Sequence, residues 1–217
     1  MNSETSTRAY GGISILHAAG CGWGCTIPLE LTCEAFASES WPNIDQDPHV
    51  LLAQLRPSLV DVTGFDVGKS FFFGIRSNIP SSMGLKSSSA ASVSAVRFAE
   101  TMHNISLSDL EIIQVATQMQ LRAGCSMTGS FDDTWSALGK MAAVIRTDSS
   151  NPSEPVALVD IESSMCTLLL RGIRKSTPEK LDFHVYRSKF KTARNHLMSG
   201  DIRRAMRENA DAVALST

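Results

Sequence analysis

The stretch Pro80-Ser-Ser-Met-Gly-Leu-Lys-Ser-Ser-Ser-Ala-Ala91 decides how this sequence is interpreted. It follows a β-like segment and precedes a segment with helical spacing of apolar residues, so it predicts a loop that enters a helix. Gly84 lets the main chain approach a ligand closely, and the first amides of the helix point outward at the positive end of its dipole. Serine hydroxyls and the Lys86 cation complete a pattern that suits phosphate. The residues leave one alternative open, a serine-rich cap on a solvated turn.

Two helices are predicted after this loop. Apolar residues recur at i, i+4, i+7 and i+11 from Ala91 to Met102, which predicts an amphipathic helix over residues 88–103. Ser108 and Glu111 have the spacing of a capping box, and the helix that they open is predicted to stop at Gly124.

The other elements are predicted from shorter patterns. Residues 10–31 contain two β-like runs and a glycine-rich bend, which predicts a hairpin, and residues 51–55 predict a short helix. Further strands are predicted over residues 60–63, 71–75, 142–145, 157–160 and 167–170, and further helices over residues 189–198 and 201–214. Residues 148–155 have the polar, proline-containing composition of a linker and predict a domain boundary.

A second glycine-rich segment, Gly64-Phe-Asp-Val-Gly-Lys-Ser70, resembles a Walker phosphate loop. A Walker loop has four residues between its glycines, whereas this segment has three. A helix should follow a Walker loop, but the residues that follow here are β-like. We therefore interpret Lys69 as a residue of a turn between two strands.

Two adjacent carboxylates stand in the segment Thr128-Gly-Ser-Phe-Asp-Asp-Thr134. In a glycine-bounded turn, one such acid could orient a substrate hydroxyl and help to remove its proton. The competing interpretation is a helix cap or a surface turn.

Composition excludes several classes of protein. With 217 residues, 43% of them hydrophobic, the chain can bury a core, and its net charge of −2 argues against a general binder of nucleic acid or anionic membranes. Eleven of the twenty Lys and Arg residues lie within residues 171–207, beside three acids. This basic segment could face an anionic substrate or nucleotide, or it could be a solvated helix face.

The cysteines and the N-terminal region point to a cytoplasmic protein. Five scattered cysteines without a C-x-x-C pair fit neither a disulfide framework nor a zinc ribbon, so reduced thiols without a bound metal are expected at the cysteines. The stretch between Arg8 and Glu30 carries no charge, but its apolar run is too short for a membrane span. A lipoprotein-like cleavage before Cys21 is the alternative.

Taken together, these motifs resemble those of a known family. The loop 80–91 resembles the second motif of the GHMP kinases, and its triple-serine form with Lys86 is similar to the archaeal-type shikimate kinases. Residues 9–17 with Gly22 and Gly24 resemble the N-terminal segment of that family, and residues 128–133 resemble its TGAFDD-like stretch.

The resemblance implies an α+β fold of two domains with the nucleotide site in the cleft between them. Residues 1–150 would form the N-terminal ATP-binding domain, and residues 151–217 a shortened C-terminal domain in which the glycine-rich third motif is not found. It further implies transfer of the γ-phosphate of ATP to the 3-hydroxyl of shikimate, with Mg²⁺, on the way to chorismate and the aromatic amino acids. The partner is then a small molecule, and neither nucleic acid nor a membrane is expected.

The resemblance also assigns roles to residues. Asp132 matches the acid that acts as a base in several relatives, and Ser88 matches the serine expected near Mg²⁺. Gln118 and Gln120 stand in the neighbourhood where some relatives place a second, carboxylate ligand of the metal. The residues expected to cradle the phosphates of ATP are Pro80, Ser81, Ser82, Met83, Gly84, Leu85, Lys86, Ser87, Ser88, Ser89 and Ala90.

Three other functions remain as alternatives. Another GHMP kinase, acting on homoserine or on a mevalonate-type alcohol, would share the loop. A nucleotide-binding remnant without activity would share the loop and lack turnover. An exported lipoprotein-like binding module would require cleavage before Cys21.

Overall fold

A single antiparallel sheet organises the chain in the computed structural model, which describes residues 5–39, 50–69, 71–160, 165–169 and 182–216. Its central strand, β2, pairs with β1 along one side and with both β3 and β4 along the other, and β5 extends the sheet beyond β4. The strands are β1 (Ser6–Leu16), β2 (Trp23–Ala37), β3 (Phe73–Ser77), β4 (Ala142–Arg146) and β5 (Ala157–Val159).

Seven helices lie among these residues, together with a 3-10 turn at Leu52–Gln54. They are α1 (Ala18–Cys21), α2 (Leu55–Thr63), α3 (Ser87–His103), α4 (Asp109–Arg122), α5 (Asp132–Ala137), α6 (Arg187–Met198) and α7 (Ile202–Ser216). The predicted α+β class is confirmed.

Two apolar clusters place the helices around the sheet. The larger one joins α2, α3, α4 and α5 to the sheet through buried residues such as Leu59, Phe73 and Phe98. The smaller one joins α6 and α7 to the start of β2, where Trp23 and Cys25 pack with Ala193 and Leu197. Successive side chains of a strand point to opposite faces, so Gly24 and Thr26 lie on the other face of β2, toward α5.

The two helices predicted after the loop are confirmed. The predicted helix over residues 88–103 is α3, and the predicted capping box is present at the start of α4 in both of its hydrogen bonds. The hairpin predicted over residues 10–31 is the β1–β2 pair, with α1 in its bend.

Two predicted strands are wrong. Three of residues 60–63 are β-branched, which favours a strand locally, but the segment forms the end of α2, because Leu55 and Leu59 lie one helical turn apart and are both buried in the larger core. Residues 167–169 belong to no strand and extend no described strand of the sheet, and the predicted strand also includes residue 170, which lies outside the described residues.

The segment predicted as a linker packs against the helices. Trp135 Nε1 donates a hydrogen bond to the Ser153 carbonyl at 2.9 Å, and Gln114 Nε2 donates to the Ser153 hydroxyl at 3.0 Å. These contacts fix residues 148–155 against α4 and α5. The division into residues 1–150 and 151–217 stays a prediction.

Asn209 fastens α7 to the end of β1. Its Oδ1 accepts a hydrogen bond from the His17 amide at 2.8 Å, its Nδ2 donates to the Ser14 carbonyl at 3.5 Å, and the residue is buried. Asn209→Ala should lower the free energy of unfolding by about 1–3 kcal/mol, because a buried amide loses its acceptor. Urea unfolding measures this, with Asn195→Ala on the exposed side of α6 as the control. Equal losses in the two variants would contradict this role.

Of the helices in the ranges given above, none is both long and apolar enough to span a bilayer.

Candidate functional site

The loop between β3 and α3 has the backbone geometry of an anion cradle. Ser82, Gly84 and Lys86 have positive φ angles of 59°, 73° and 63°. Residues in the left-handed region bend the main chain so that successive amides face one side. This conformation strains Ser82 and Lys86, which have a side chain, but not Gly84. The cradle predicted from the sequence is therefore curled where Gly84 stands.

The start of α3 supplies amides that the helix itself does not use. The first helical hydrogen bond of this turn runs from the Ala90 amide to the Lys86 carbonyl at 3.0 Å. The amides of Ser87, Ser88 and Ser89 come before it and have no acceptor within the helix. These three groups lie at the positive end of the dipole of a 17-residue helix, which favours an anion.

A pair of glycines in β1 anchors the loop. The Gly12 amide donates a hydrogen bond to the Leu85 carbonyl at 3.1 Å, where the β1–β2 register is irregular between Tyr10 and Gly12. A Cβ on Gly11 would lie 3.0 Å from the same carbonyl, and one on Gly12 would lie 2.6 Å from Thr26 Cγ2. Gly11 therefore leaves room for the Leu85 carbonyl of the loop, and Gly12 leaves room for the Thr26 side chain of β2. In the sequence, the only signal for this was a glycine pair inside a strand.

Asp132 begins α5 and is almost completely buried beside β2. Its Oδ1 accepts a hydrogen bond from Ser130 Oγ at 2.5 Å, and its Oδ2 lies 2.9 Å from Thr26 Oγ1. A Cβ on Gly24 would lie 2.5 Å from Oδ1, so the absence of a side chain at Gly24 makes room for the carboxyl group.

Lys86 connects the loop to the acidic turn. Its Nζ lies 3.0 Å from each carboxylate oxygen of Asp133, and both side chains are less than one third exposed. Burial, followed by the negative charge of Asp133, raises the pKa of Asp132 to about 7. Burial alone would lower the pKa of Lys86, but the charges of Asp133 and Asp132 outweigh it and raise that pKa. The site thus holds one acid that changes protonation near neutral pH beside a fixed ion pair.

Gln120 holds the serines at the start of α3. Its Oε1 accepts hydrogen bonds from Ser88 Oγ at 3.3 Å and Ser89 Oγ at 3.0 Å, and its Nε2 donates to the Ala116 carbonyl. Of the two glutamines noted in the sequence, Gln120 is thus the one beside the loop.

The oxygens here fit a divalent cation only in part. In the part of the chain that the structure describes, no group of three or more His, Cys, Asp and Glu side chains could hold a metal. Mg²⁺ prefers hard oxygen ligands and is commonly held by one or two protein groups together with substrate phosphates. Ser88 and Gln120 offer neutral oxygens of this kind, so they fit an ion whose remaining ligands come from a nucleotide.

The structure brings some of the predicted site residues together and leaves others apart. Lys86, Ser88 and Ser89 lie with Asp132 around the start of α3 and α5, whereas Ser81 and Ser82 are exposed on the outer side of the loop. Sequence reasoning missed Thr26 and Ser130, which contact Asp132 directly. A threonine in an apolar strand carries no signal of such a role.

The glycine-rich segment 64–69 lies apart from this set. It connects α2 to β3, so a strand and not a helix follows it, and Ser70 lies outside the described residues. Lys69 therefore sits in a helix-to-strand loop, and its predicted position between two strands is wrong because α2 replaces the first of them. A cavity of about 210 Å³ beside this loop is lined by α2 residues and by Val67, Lys69 and Phe71.

Part of the basic segment faces the start of β2. Arg194 lies over the Trp23 ring at 5.3 Å, and Arg187 and Lys191 share a helical face with it at i, i+4 and i+7. Burial raises the pKa of the Cys21 thiol, and the charges of these three residues oppose that rise. Arg171 and Arg174 of the same segment lie outside the described residues.

Comparisons with known proteins find similarity to kinases. Residues 51–140 match the family described as GHMP kinases N terminal domain. The chain is 32% identical over 136 residues to a shikimate kinase of Pyrococcus abyssi, covering 59% of this chain and 50% of that one. It is 31% identical over 161 residues to a shikimate kinase of Methanobrevibacter smithii, covering 68% and 54%. The chain spans about half the length of the curated relatives it matches.

Solved structures show the same fold at low identity. The chain superposes on phosphomevalonate kinase from Streptococcus pneumoniae with a TM-score of 0.60 at 11% identity, over 98% of this chain and 78% of that one. The GHMP-kinase-like fold inferred from the sequence is confirmed.

Proposed function

Because residues 51–140 match the GHMP kinase N-terminal domain and the chain is similar to archaeal shikimate kinases, we propose that it is a shikimate kinase. In this proposal the chain transfers the γ-phosphate of ATP to the 3-hydroxyl of shikimate, giving shikimate 3-phosphate and ADP. We further propose that ATP lies in a cleft between an N-terminal domain, residues 1–150, and a C-terminal domain that begins at residue 151. The reaction would take place in the cytoplasm, where ATP is available.

The single observation that carries the proposal is the Lys86–Asp133 ion pair. It joins the loop that would hold the transferred phosphate to the turn that holds Asp132. Phosphoryl transfer needs donor and acceptor in line and close together, with little covalent work by the protein. This pair supports the proposal because it brings the loop and the Asp132 turn close together.

The proposed reaction uses these residues in a fixed order. The loop backbone from Pro80 to Ala90 binds and orients the phosphates, and Lys86 balances the charge between them and the two acids. Asp132, in its ionised form, accepts the proton of the acceptor hydroxyl. The freed oxygen electron pair forms the bond to the γ-phosphorus, while the bond from that phosphorus to the bridging oxygen breaks and its electrons leave on ADP.

Mg²⁺, when bound with ATP, would neutralise charge on the phosphates. Ser88 is the proposed protein ligand, and Gln120 holds its hydroxyl. Ser88→Ala should raise the Mg²⁺ concentration needed for half-maximal activity about five-fold, since one contact of roughly 1 kcal/mol is lost. Thr101→Ala, a hydroxyl lost from the exposed far end of α3, is the matched control. The same Mg²⁺ dependence in both variants would remove Ser88 from the metal site.

Coupled measurement of ADP release tests the function. With Mg-ATP, we expect turnover on shikimate and none on homoserine or mevalonate. Turnover on homoserine or mevalonate alone would reassign the acceptor within the GHMP kinases. Binding of Mg-ATP without turnover of any alcohol would instead support a nucleotide-binding remnant.

A further inference from the structure

Thr26 occupies an unusual position between the two acids of the site. Its Oγ1 lies 2.9 Å from Asp132 Oδ2 and 2.7 Å from Asp133 Oδ1, and its side chain is completely buried. The two carboxyl groups are 106 and 107 residues away along the chain, so the fold alone creates this contact.

A hydroxyl group has one proton and two lone pairs, so it can donate a full hydrogen bond to only one of two carboxylates. If both acids were ionised, a lone pair of Thr26 would face a carboxylate oxygen at less than 3 Å. Both contacts are favourable only when one acid is protonated and donates its proton to Thr26. The contact between Thr26 and Asp132 is shielded from solvent, because both residues are buried.

The surroundings identify which acid carries the proton. Asp133 is paired with Lys86 through both of its oxygens, so a proton held by the two acids is better placed on Asp132. Among the described residues no cation is paired with Asp132; the charged groups that face it are Asp133 from α5 and Lys86 from the loop, while the Cys25 thiol of β2 lies on the opposite face of that strand. The hydrogen bonds then run from Asp132 Oδ2 to Thr26 Oγ1, and from Thr26 Oγ1 to Asp133 Oδ1.

We propose that Thr26 is a positioning residue that accepts a hydrogen bond from protonated Asp132 and donates a hydrogen bond to Asp133, the acid that is paired with Lys86. This inference rests on the proposed function in one respect, because Asp132 becomes protonated when it removes the proton of the acceptor hydroxyl. Thr26 then stabilises Asp132 in the form that it has after that step. The hydrogen bond strengthens Asp132 as a base without contact between Thr26 and substrate.

The direction in which Thr26→Val shifts the titration of Asp132 distinguishes this role from its alternatives. If Thr26 accepts from protonated Asp132, Thr26→Val should lower the pH at which Asp132 titrates by about half to one unit, since the loss of one hydrogen bond destabilises the protonated form. If Thr26 instead donates to ionised Asp132, the same substitution should raise that pH. A purely structural role predicts no shift.

Carbon-13 NMR of protein labelled at aspartate carboxyls measures this titration directly, with Asp132→Asn used to assign the signal. Thr26→Ser keeps the hydroxyl and should titrate as the wild type does. Ser14→Ala, which removes a hydroxyl 3.5 Å from Thr26 Oγ1, should also leave the titration unchanged. If the valine variant does not fold, Thr26→Ala is titrated in its place with the same expected direction.

The outcomes keep the two claims apart, because the titration needs no turnover. A downward shift supports the role of Thr26 even if shikimate is not phosphorylated, and that result would overturn the proposed function alone. An upward shift, or none, overturns the role of Thr26 even if the enzyme is an active shikimate kinase. In an active enzyme the low-pH limb of the rate profile should move in the same direction.

Discussion

Asp132→Asn is expected to reduce the turnover number by about 10²- to 10⁴-fold, the usual contribution of a positioned general base. The affinity for Mg-ATP should stay nearly the same, because the phosphate cradle is formed by the loop and the start of α3. Single-turnover kinetics and nucleotide titration measure the two quantities separately. Asp148→Asn, which removes an exposed carboxylate paired with Arg146, is the control. A variant at Asp132 that keeps normal turnover would contradict the proposed base.

The pH dependence has a definite sign. Since the pKa of Asp132 is raised to about 7, wild-type activity should fall as the pH drops below about 7 and the base becomes protonated. The raised pKa also means that ionising Asp132 costs stability as the pH rises from about 4, its ordinary value, to about 7. The Asn variant should therefore gain stability relative to wild type between pH 5 and pH 8. Urea unfolding at these two pH values measures the gain.

Lys86→Met is expected to lower kcat/KM at pH 7 by about 5- to 100-fold. The ion pair is partly buried, so we take about 1–3 kcal/mol, below the value for breaking a fully buried pair. Without this cation, Asp133 has no counter-charge and Asp132 ionises less readily, so the low-pH limb of the rate profile should move to higher pH. The affinity for Mg-ATP should fall as well.

Lys140→Met provides the matched comparison for this variant. It also removes a lysine from an aspartate, but the Lys140–Asp109 pair is mostly exposed and lies at the start of α4. Exposed pairs contribute little, so its rate profile should match the wild type. Identical profiles for the two lysine variants would show that Lys86 does not couple the loop to the acids.

The sequence was sufficient for those parts of the site that depend on neighbouring residues. The entry of the loop into α3, the curl at Gly84 and the capping box of α4 are all determined within a few residues. Local patterns failed at residues 60–63, where β-branched side chains favour a strand but burial of Leu55 and Leu59 selects a helix.

The contacts that give the site its chemistry could not be predicted in this way. Thr26 meets Asp132 across 106 residues, and Lys86 meets Asp133 across 47. Gly11 and Gly12 were noted only as part of a resemblance, although a side chain at Gly11 would crowd the Leu85 carbonyl of the loop and one at Gly12 would meet Thr26 of β2. Contacts between residues so far apart along the chain depend on the whole fold, so they can be identified only once the pairing of the strands is known.

The most direct test of the account is an NMR titration of nitrogen-15-labelled protein with Mg-ATP. We predict that the amide signals of residues 84–90 move strongly. The Gly12 amide signal should move as well, because this amide donates a hydrogen bond to the Leu85 carbonyl, whereas the Gly68 amide signal in the Walker-like segment should not move. Unmoved loop signals, or changes centred on Gly68, would contradict a triphosphate site at the start of α3.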